Sequence, residues 1–351
     1  MRTRWRTPNI NCKQPQPNSS TGCDFTTHTT RRCSPKSEKP RAKSEYNRWM
    51  RASYRWELRS RVLDLGPRTQ IMGVVNVTPD SFSEGGRFFE PKAAIAHALE
   101  LLDEGADILD IGGESTRPGT RVQPDPSSQK PLVSEEEELR RVMPVIQGIL
   151  KARPDVIISI DTYKSGVARR AVDAGAEIVN DVSAYQWDDA MAETCAELQC
   201  GVVLMHTRGR PSEWRHLEPE ADIASLVAHD LANRVQVALD SGVERERIVL
   251  DPGFGFGKNF EENYPLLAGL DRLQSLGFPL LTGTSRKSFV GRTIAKRKGG
   301  DDAPPKERLF GSLAAMAASI LHGTHIVRVH EVKAAVEAAA VADEVLAANV
   351  Q

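Results

Sequence analysis

One beat recurs through most of this chain. A short apolar run ends in a polar residue, a loop follows, and helical periodicity comes after it. The first run spans residues 71–75 and stops at Asn76, and helical spacing resumes over 91–104 with Ala94, Ile95, Ala98, Leu99 and Leu102 on one face. Further runs fall at 108–111, 156–160, 178–179, 202–205, 248–250, 280–281 and 326–327. Helical patterns follow them at 134–151, 164–174, 189–198, 221–241, 262–276, 309–321 and 332–347. Runs so short and apolar, alternating with helices, predict parallel strands covered on both faces. Eight such units predict an α/β fold, the (β/α)8 TIM barrel. An open doubly wound sheet is the alternative. It is disfavoured because every strand ends in a polar residue, whereas an open sheet gathers function at one switch point. Residues 56–65 alternate weakly ahead of Gly66-Pro67 and are expected to form a hairpin that closes the bottom of the fold.

The 351 residues are 40% hydrophobic with a net charge of -1, which is ordinary globular composition without a global bias toward nucleic acid, membrane or acidic partners. No run approaches the ~18 apolar residues of a membrane span. Cys12, Cys23, Cys33, Cys195 and Cys200 match no zinc spacing and suggest no disulfide framework, so a reducing, cytoplasmic setting is expected. Residues 1–55 differ from the rest: rich in Arg, Ser, Thr, Asn and Pro, poor in acids, without periodicity. That is the composition of a disordered extension, or of sequence upstream of a native start nearer Met50. It also fits an organelle transit peptide. A nucleic-acid arm is disfavoured, since no aromatic residues interleave the arginines. The folded domain is expected over 56–351.

Chemistry collects at the strand ends. In order these carry Asn76; Glu114, Thr116 and Arg117; Asp161; Asn180 and Asp181; His206; Asp251; Ser285, Arg286 and Lys287; and Arg328 and His330. In a barrel all are expected to project toward one mouth. Any one of them is unremarkable, but a polar group at every exit follows from no packing rule. Asp161, Asn180, Asp251 and Lys287 suit the edge of a polar heteroaromatic ring. Arg328, His330 and Asn76 suit an anion, Arg328 through a bidentate fork. The segment T-S-R-K-S (284–288) opens a helix after the seventh strand, the usual place for phosphate in such barrels. The glycines of D-P-G-F-G-F-G-K (251–258) are expected to let backbone approach a ligand, and Phe254 and Phe256 to wall a planar ring.

These residues add up to a resemblance. N-V-T-P-D-S-F-S-E-G-G (76–86), G-G-E-S-T-R-P-G (112–119), S-I-D-T (159–162) and I-V-N-D-V-S (178–183) are similar to motifs of the dihydropteroate synthase family. So are V-L-M-H (203–206), L-D-P-G-F-G-F-G-K (250–258), T-S-R-K-S-F (284–289) and R-V-H-E-V (328–332). The resemblance implies a transferase on a (β/α)8 barrel. It would condense (7,8-dihydropterin-6-yl)methyl diphosphate with 4-aminobenzoate, giving 7,8-dihydropteroate and diphosphate. It implies a pterin site at Asp161, Asn180, Met205, Asp251 and Lys287, and a diphosphate site at Asn76, Arg328 and His330. Asn76 would also hold Mg2+, and Asp161, Lys287, Arg328 and His330 would carry the catalysis. The aminobenzoate would meet Thr116, Arg117 and Pro118 from one loop and Phe82 from another, with Phe256 and Ser285. A homodimer is expected, without nucleic-acid or membrane partners. Residues 120–131 add length to the second loop beyond the family's compact form. The rival readings are a methyltetrahydrofolate-type pterin-binding methyltransferase and a catalytically inactive pterin-binding barrel. Arg328, His330 and Lys287 argue against the first, and the intact polar set against the second. On this division of the pocket, Arg328→Ala is expected to cripple turnover and leave pterin binding nearly intact.

Overall fold

The computed structural model describes residues 51–78, 91–115 and 133–348. The body opens with an antiparallel hairpin, β1 (Tyr54–Glu57) and β2 (Val62–Leu65). Eight parallel strands follow: β3 (Gln70–Asn76), β4 (Ile108–Gly112), β5 (Ile157–Asp161), β6 (Ile178–Asp181), β7 (Gly201–Met205), β8 (Ile248–Asp251), β9 (Leu281–Thr282) and β10 (Ile326–Val329). They pair in the order β8-β7-β6-β5-β4-β3-β10-β9. A single parallel bridge, Leu250 to Leu280, joins the two ends, and the Leu250 N–H donates to the Pro279 carbonyl at 3.0 Å. The end strands of an open sheet would not meet, so this is the barrel, closed along one narrow seam.

Around it run α1 (Pro91–Asp103), α2 (Glu135–Ala152), α3 (Ser165–Asp173), α4 (Met191–Leu198), α5 (Ile223–Asp240), α6 (Phe260–Ala268), α7 (Leu270–Gln274), α8 (Ser288–Lys298), α9 (Leu309–Leu321) and α10 (Val332–Ala348). Ser134 caps α2, its Oγ accepting from the Glu137 N–H at 3.1 Å. Two units depart from the expected pattern. The helix expected over 262–276 is two helices, α6 and α7, broken at Gly269, where a Cβ would come within 2.8 Å of the Ala224 methyl. The seventh unit carries both α8 and α9, and residues Pro304 to Arg308 between them reach the mouth of the barrel.

The pleat sorts the strands into two faces with period two. Leu109, Ile111, Val179 and Leu204 point outward into the core shared with the helices. Met72, Ile108, Ile178, Val203, Val249, Leu281 and Ile326 point inward and form an apolar floor. The hairpin plugs that floor from below with Trp56, Leu58 and Leu65. Trp56 is fully buried, and its Nε1 donates to the Arg247 carbonyl at 2.9 Å. The bottom of the barrel is therefore shut, as expected for residues 56–65.

Residues 51–55, placed with the tail by composition, belong to the body. Arg51 donates to the Gly66 and Thr324 carbonyls and pairs with Asp343 at 3.0 Å. The stretch is held by this charged side chain, by the contact of His325 with the Ala52 carbonyl and by the pairing of Tyr54 and Arg55 in β1, none of which needs an apolar period. The rest of the basic tail, residues 1–50, lies outside the described residues.

Candidate active site

Two residues beyond five of these inward apolar residues, the same pleat delivers a second inward side chain one layer higher. Thus Ile108 is followed by Asp110, Ile178 by Asn180, Val203 by Met205, Val249 by Asp251 and Ile326 by Arg328. With Asn76 on β3 and Asp161 on β5, this layer floors a cavity of about 770 Å³ at the C-terminal end of the barrel. Asp161, Asn180, Met205, Asp251 and Lys287 line it together with Asn76, Arg328 and His330. Phe256 and Ser285 line it as well. Phe82, Thr116, Arg117 and Pro118, with the added loop length at 120–131, lie outside the described residues.

Arg328 is the hub. Its Nε donates to Asp110 Oδ2 and its Nη2 to Asp161 Oδ2, each at 2.6 Å. The two carboxylates hold the guanidinium firmly charged against the cost of burial. Asp110 also accepts from Asn180 Nδ2 at 3.1 Å. It is wholly inaccessible, and its Oδ1 has no hydrogen-bond partner among the described residues. Reading only the strand exits misses Asp110, because it sits mid-strand in I-L-D-I-G. Its parity was the available signal: it is two residues from Ile108 and two from Gly112.

Burial pushes Asp251 up to about 6, opposed by the Gly253 N–H, which donates to its Oδ1 at 2.7 Å, and by Lys287. Burial raises Asp161 too, and Arg328 opposes that rise. The Asp161 side chain keeps 15% of its surface open toward the cavity, so Arg328 bears on a carboxylate that is still partly hydrated. Opposite these acids, the Lys287 ammonium lies 4.1 Å from the centroid of Phe256, which meets Trp214 edge-on at 5.5 Å. Met205 packs with Tyr163 and Val182 beneath. The cavity is thus lined by apolar side chains, Met205, Val182, Trp214 and Phe256, together with charged acceptors and donors, Asp161, Asp251, Lys287 and Arg328. Ser285 Oγ and His330 Nδ1 are 3.0 Å apart, which brings the turn after β9 against the end of β10.

Several exit residues do not face the mouth. Asp181 and His206 follow inward residues directly, so the pleat sends them outward. His206 Nε2 meets Asp230 Oδ2 on α5 at 3.1 Å, and burial drives the imidazole down to about 4. Asp181 accepts from the Ser183 and Tyr185 N–H groups and organises its own loop. The glycine-rich loop borders the cavity through Gly253, Phe254, Gly255 and Phe256 and also packs closely on the chain beside it. A Cβ at Gly253 would stand 2.0 Å from the His206 carbonyl oxygen, and one at Gly257 would stand 2.7 Å from Arg208 Cβ. Lys258 clasps the loop by donating to the carbonyls of His206, Gly253 and Phe256. Phe254 and Phe256 both line the cavity, as expected, Phe254 being the more deeply buried and tilted against Phe289. Glu114 also borders the cavity, where its carboxylate and that of Glu138 grip Lys164.

The mouth of the barrel thus gathers two carboxylates, a lysine, an arginine and a histidine around one cavity. The family model for pterin binding enzymes matches residues 72–330. Dihydropteroate synthase of Clostridium beijerinckii is 41% identical over 274 residues, covering 78% of this chain and 93% of that protein. The Escherichia coli dihydropteroate synthase is 41% identical over 287 residues, covering 82% and 95%. The Xanthomonas albilineans dihydropteroate synthase solved with 4-aminobenzoic acid superposes with a TM-score of 0.74 at 41% identity, covering 84% of this chain and 99% of that one. The same enzyme in complex with 7,8-dihydropteroate superposes at 0.71. The chain is a pterin-binding barrel, and it belongs to the dihydropteroate synthase family.

Proposed function

We propose that this protein condenses (7,8-dihydropterin-6-yl)methyl diphosphate with 4-aminobenzoate to give 7,8-dihydropteroate and diphosphate, a transferase step in folate biosynthesis. The single observation that carries the assignment of roles is the convergence of Asp161, Asn180, Asp251, Lys287, Arg328 and His330 on one cavity. The carboxylates of Asp161 and Asp251 accept N–H bonds from the ring edge, and Asn180 and Lys287 complete that edge. Met205 and Phe256 supply its faces. Breaking the bond from methylene carbon to diphosphate oxygen leaves positive charge that the ring shares. Fixed acids around the ring stabilise that charge, while Arg328 and His330 stabilise the departing anion. The arylamine nitrogen then bonds to the same carbon from the side of Ser285 and gives up one N–H proton to the departing diphosphate or to water, with Phe82, Thr116, Arg117 and Pro118 assigned to its grip.

Mg2+ fits this arrangement. The ion usually keeps waters and substrate phosphates and takes only one or two protein oxygens. Asn76 lines the cavity with Arg328 and His330 and can offer its carboxamide oxygen. Bound there with substrate, Mg2+ would neutralise diphosphate charge as a Lewis acid.

A homodimer through α9 and α10 belongs to the same proposal. Phe310 on α9 is 84% exposed, and Val341 and Val345, one turn apart on α10, are 67% and 46% exposed. A cytoplasmic location is supported by the free buried thiols of Cys195 and Cys200. Among the described residues no helix is long and apolar enough to cross a membrane. The deciding assay is diphosphate release with each substrate alone, with both, and with and without Mg2+. Release that needs both substrates is expected. Release without the arylamine, or none at all, overturns the assignment.

A further inference from the structure

The turn after β9 bends at Arg286, whose φ of +58° lies in the left-handed region. A side chain makes that conformation unfavourable, so a non-glycine residue keeps it only where the surroundings impose it. Three tethers impose it here. The Arg286 N–H donates to Ser312 Oγ at 3.0 Å, its carbonyl accepts from Arg308 Nη1 at 2.8 Å, and its Nε donates to Glu331 Oε1 at 2.7 Å. Both backbone tethers come from the start of α9, where the Ser312 N–H donates to the Arg308 carbonyl at 2.8 Å. Ser285 and Lys287 flank the bend, and both line the cavity.

Arg308 is placed to do more than fill space. It is buried, and it passes over Gly291, where a Cβ would stand 2.4 Å from its Nε. That Nε donates to the Ala303 carbonyl at 2.6 Å. One planar guanidinium therefore forks between two carbonyls, one in the rim segment and one at the bend, a geometry that a lysine ammonium does not reproduce. Pro304 and Pro305, which follow Ala303, border the cavity.

We propose that Arg308 is a positioning residue for the transfer reaction. It holds Arg286 in its left-handed bend and so fixes Ser285 and Lys287 against the substrates. What those two residues touch rests on the transferase reading above; the bend and its tethers do not.

The test is Arg308→Ala, alone and combined with Arg286→Gly. Misaim of the turn is expected to cost about 100-fold in kcat/KM, shared between a lower kcat and a higher KM for the pterin diphosphate. Glycine occupies the left-handed region without being held, so the double variant is expected to recover about tenfold. A role for Arg308 in overall packing alone would not be answered by glycine at 286. Ser312→Ala, which removes only the second backbone tether, provides the same readout if Arg308→Ala folds poorly. Hydrogen exchange at the 286 and 287 amides, measured without substrates, is expected to quicken in Arg308→Ala and Ser312→Ala. Unchanged exchange with full activity, or a loss of activity that Arg286→Gly leaves in place, overturns the proposal. Should the unmodified protein release no diphosphate from the two substrates, the transferase reading falls, and hydrogen exchange still decides the role of Arg308.

Discussion

Arg328 Nη2 lies 2.6 Å from Asp161 Oδ2, so the residue assigned to the anion and the residue assigned to the ring form one ion pair. The two walls of the pocket are therefore electrically joined. Arg328→Ala is expected to damage both functions, contrary to the division drawn from sequence. Without its guanidinium, Asp161 loses the charge that opposes its upward shift and becomes a poorer N–H acceptor. Titration of pterin fluorescence is expected to show at least tenfold weaker binding, the equivalent of about 1.4 kcal/mol, beside the loss of turnover. Unaltered pterin binding would restore the original division.

Asp110 shares that ion pair from a wholly buried position. Asp110→Asn keeps an oxygen that can accept from Asn180 but leaves Arg328 with one hydrogen-bonded carboxylate in place of two. Breaking a buried pair typically costs about 3–5 kcal/mol. Urea unfolding is expected to show a loss near the low end of that range, since Asp161 remains. Diphosphate release is expected to fall with it.

Ring binding is expected to weaken in acid. Burial pushes Asp251 up to about 6, and its ionised form is the stronger acceptor of N–H bonds from the ring. Affinity is thus full above that value and falls as pH drops through it, by about tenfold per unit once the proton is bound. Asp161, also shifted upward, acts with the same sign. Calorimetry between pH 5 and 8 (roughly one unit to either side of the shifted groups) is expected to show this slope, flattened in Asp251→Asn. Affinity that rises on acidification would contradict it.

The closed bottom of the barrel makes a contrasting prediction. Trp56→Ala empties a fully buried site and strands the Arg247 carbonyl. It is expected to cost about 3–5 kcal/mol in urea unfolding. Turnover below the melting temperature is expected to change little, because stability is lodged at this end and chemistry at the other.

Phe310→Lys addresses the assembly. Placing a charge on the most exposed large apolar side chain among the described residues is expected to shift sedimentation from dimer to monomer. The melting transition of each chain is expected to stay within a few degrees. A wild-type monomer at micromolar concentration would refute the dimer.

Much of this was legible in the sequence because strand ends in a barrel are chemically exposed. Asn76, Asp161, Asn180, Asp251 and Arg328 each close an apolar run, and each faces the cavity. What escaped were features set by orientation or by distance along the chain. Asp110 lies inside a run, and His206 lies one residue past the inward register, so position alone misjudged both. Arg308 meets Arg286 across 22 residues through the notch at Gly291, and no local pattern signals such a contact.

The alternation that sets Ile108 and Asp110 on the same side has a consequence for how such a protein can change over generations. Inserting or deleting one residue within a strand would invert it, casting its acid among the helices and a leucine into the cavity. Innovation in ligand preference must therefore come by substitution within the staves. Changes of length are confined to the connecting segments, where an added residue disturbs neither face.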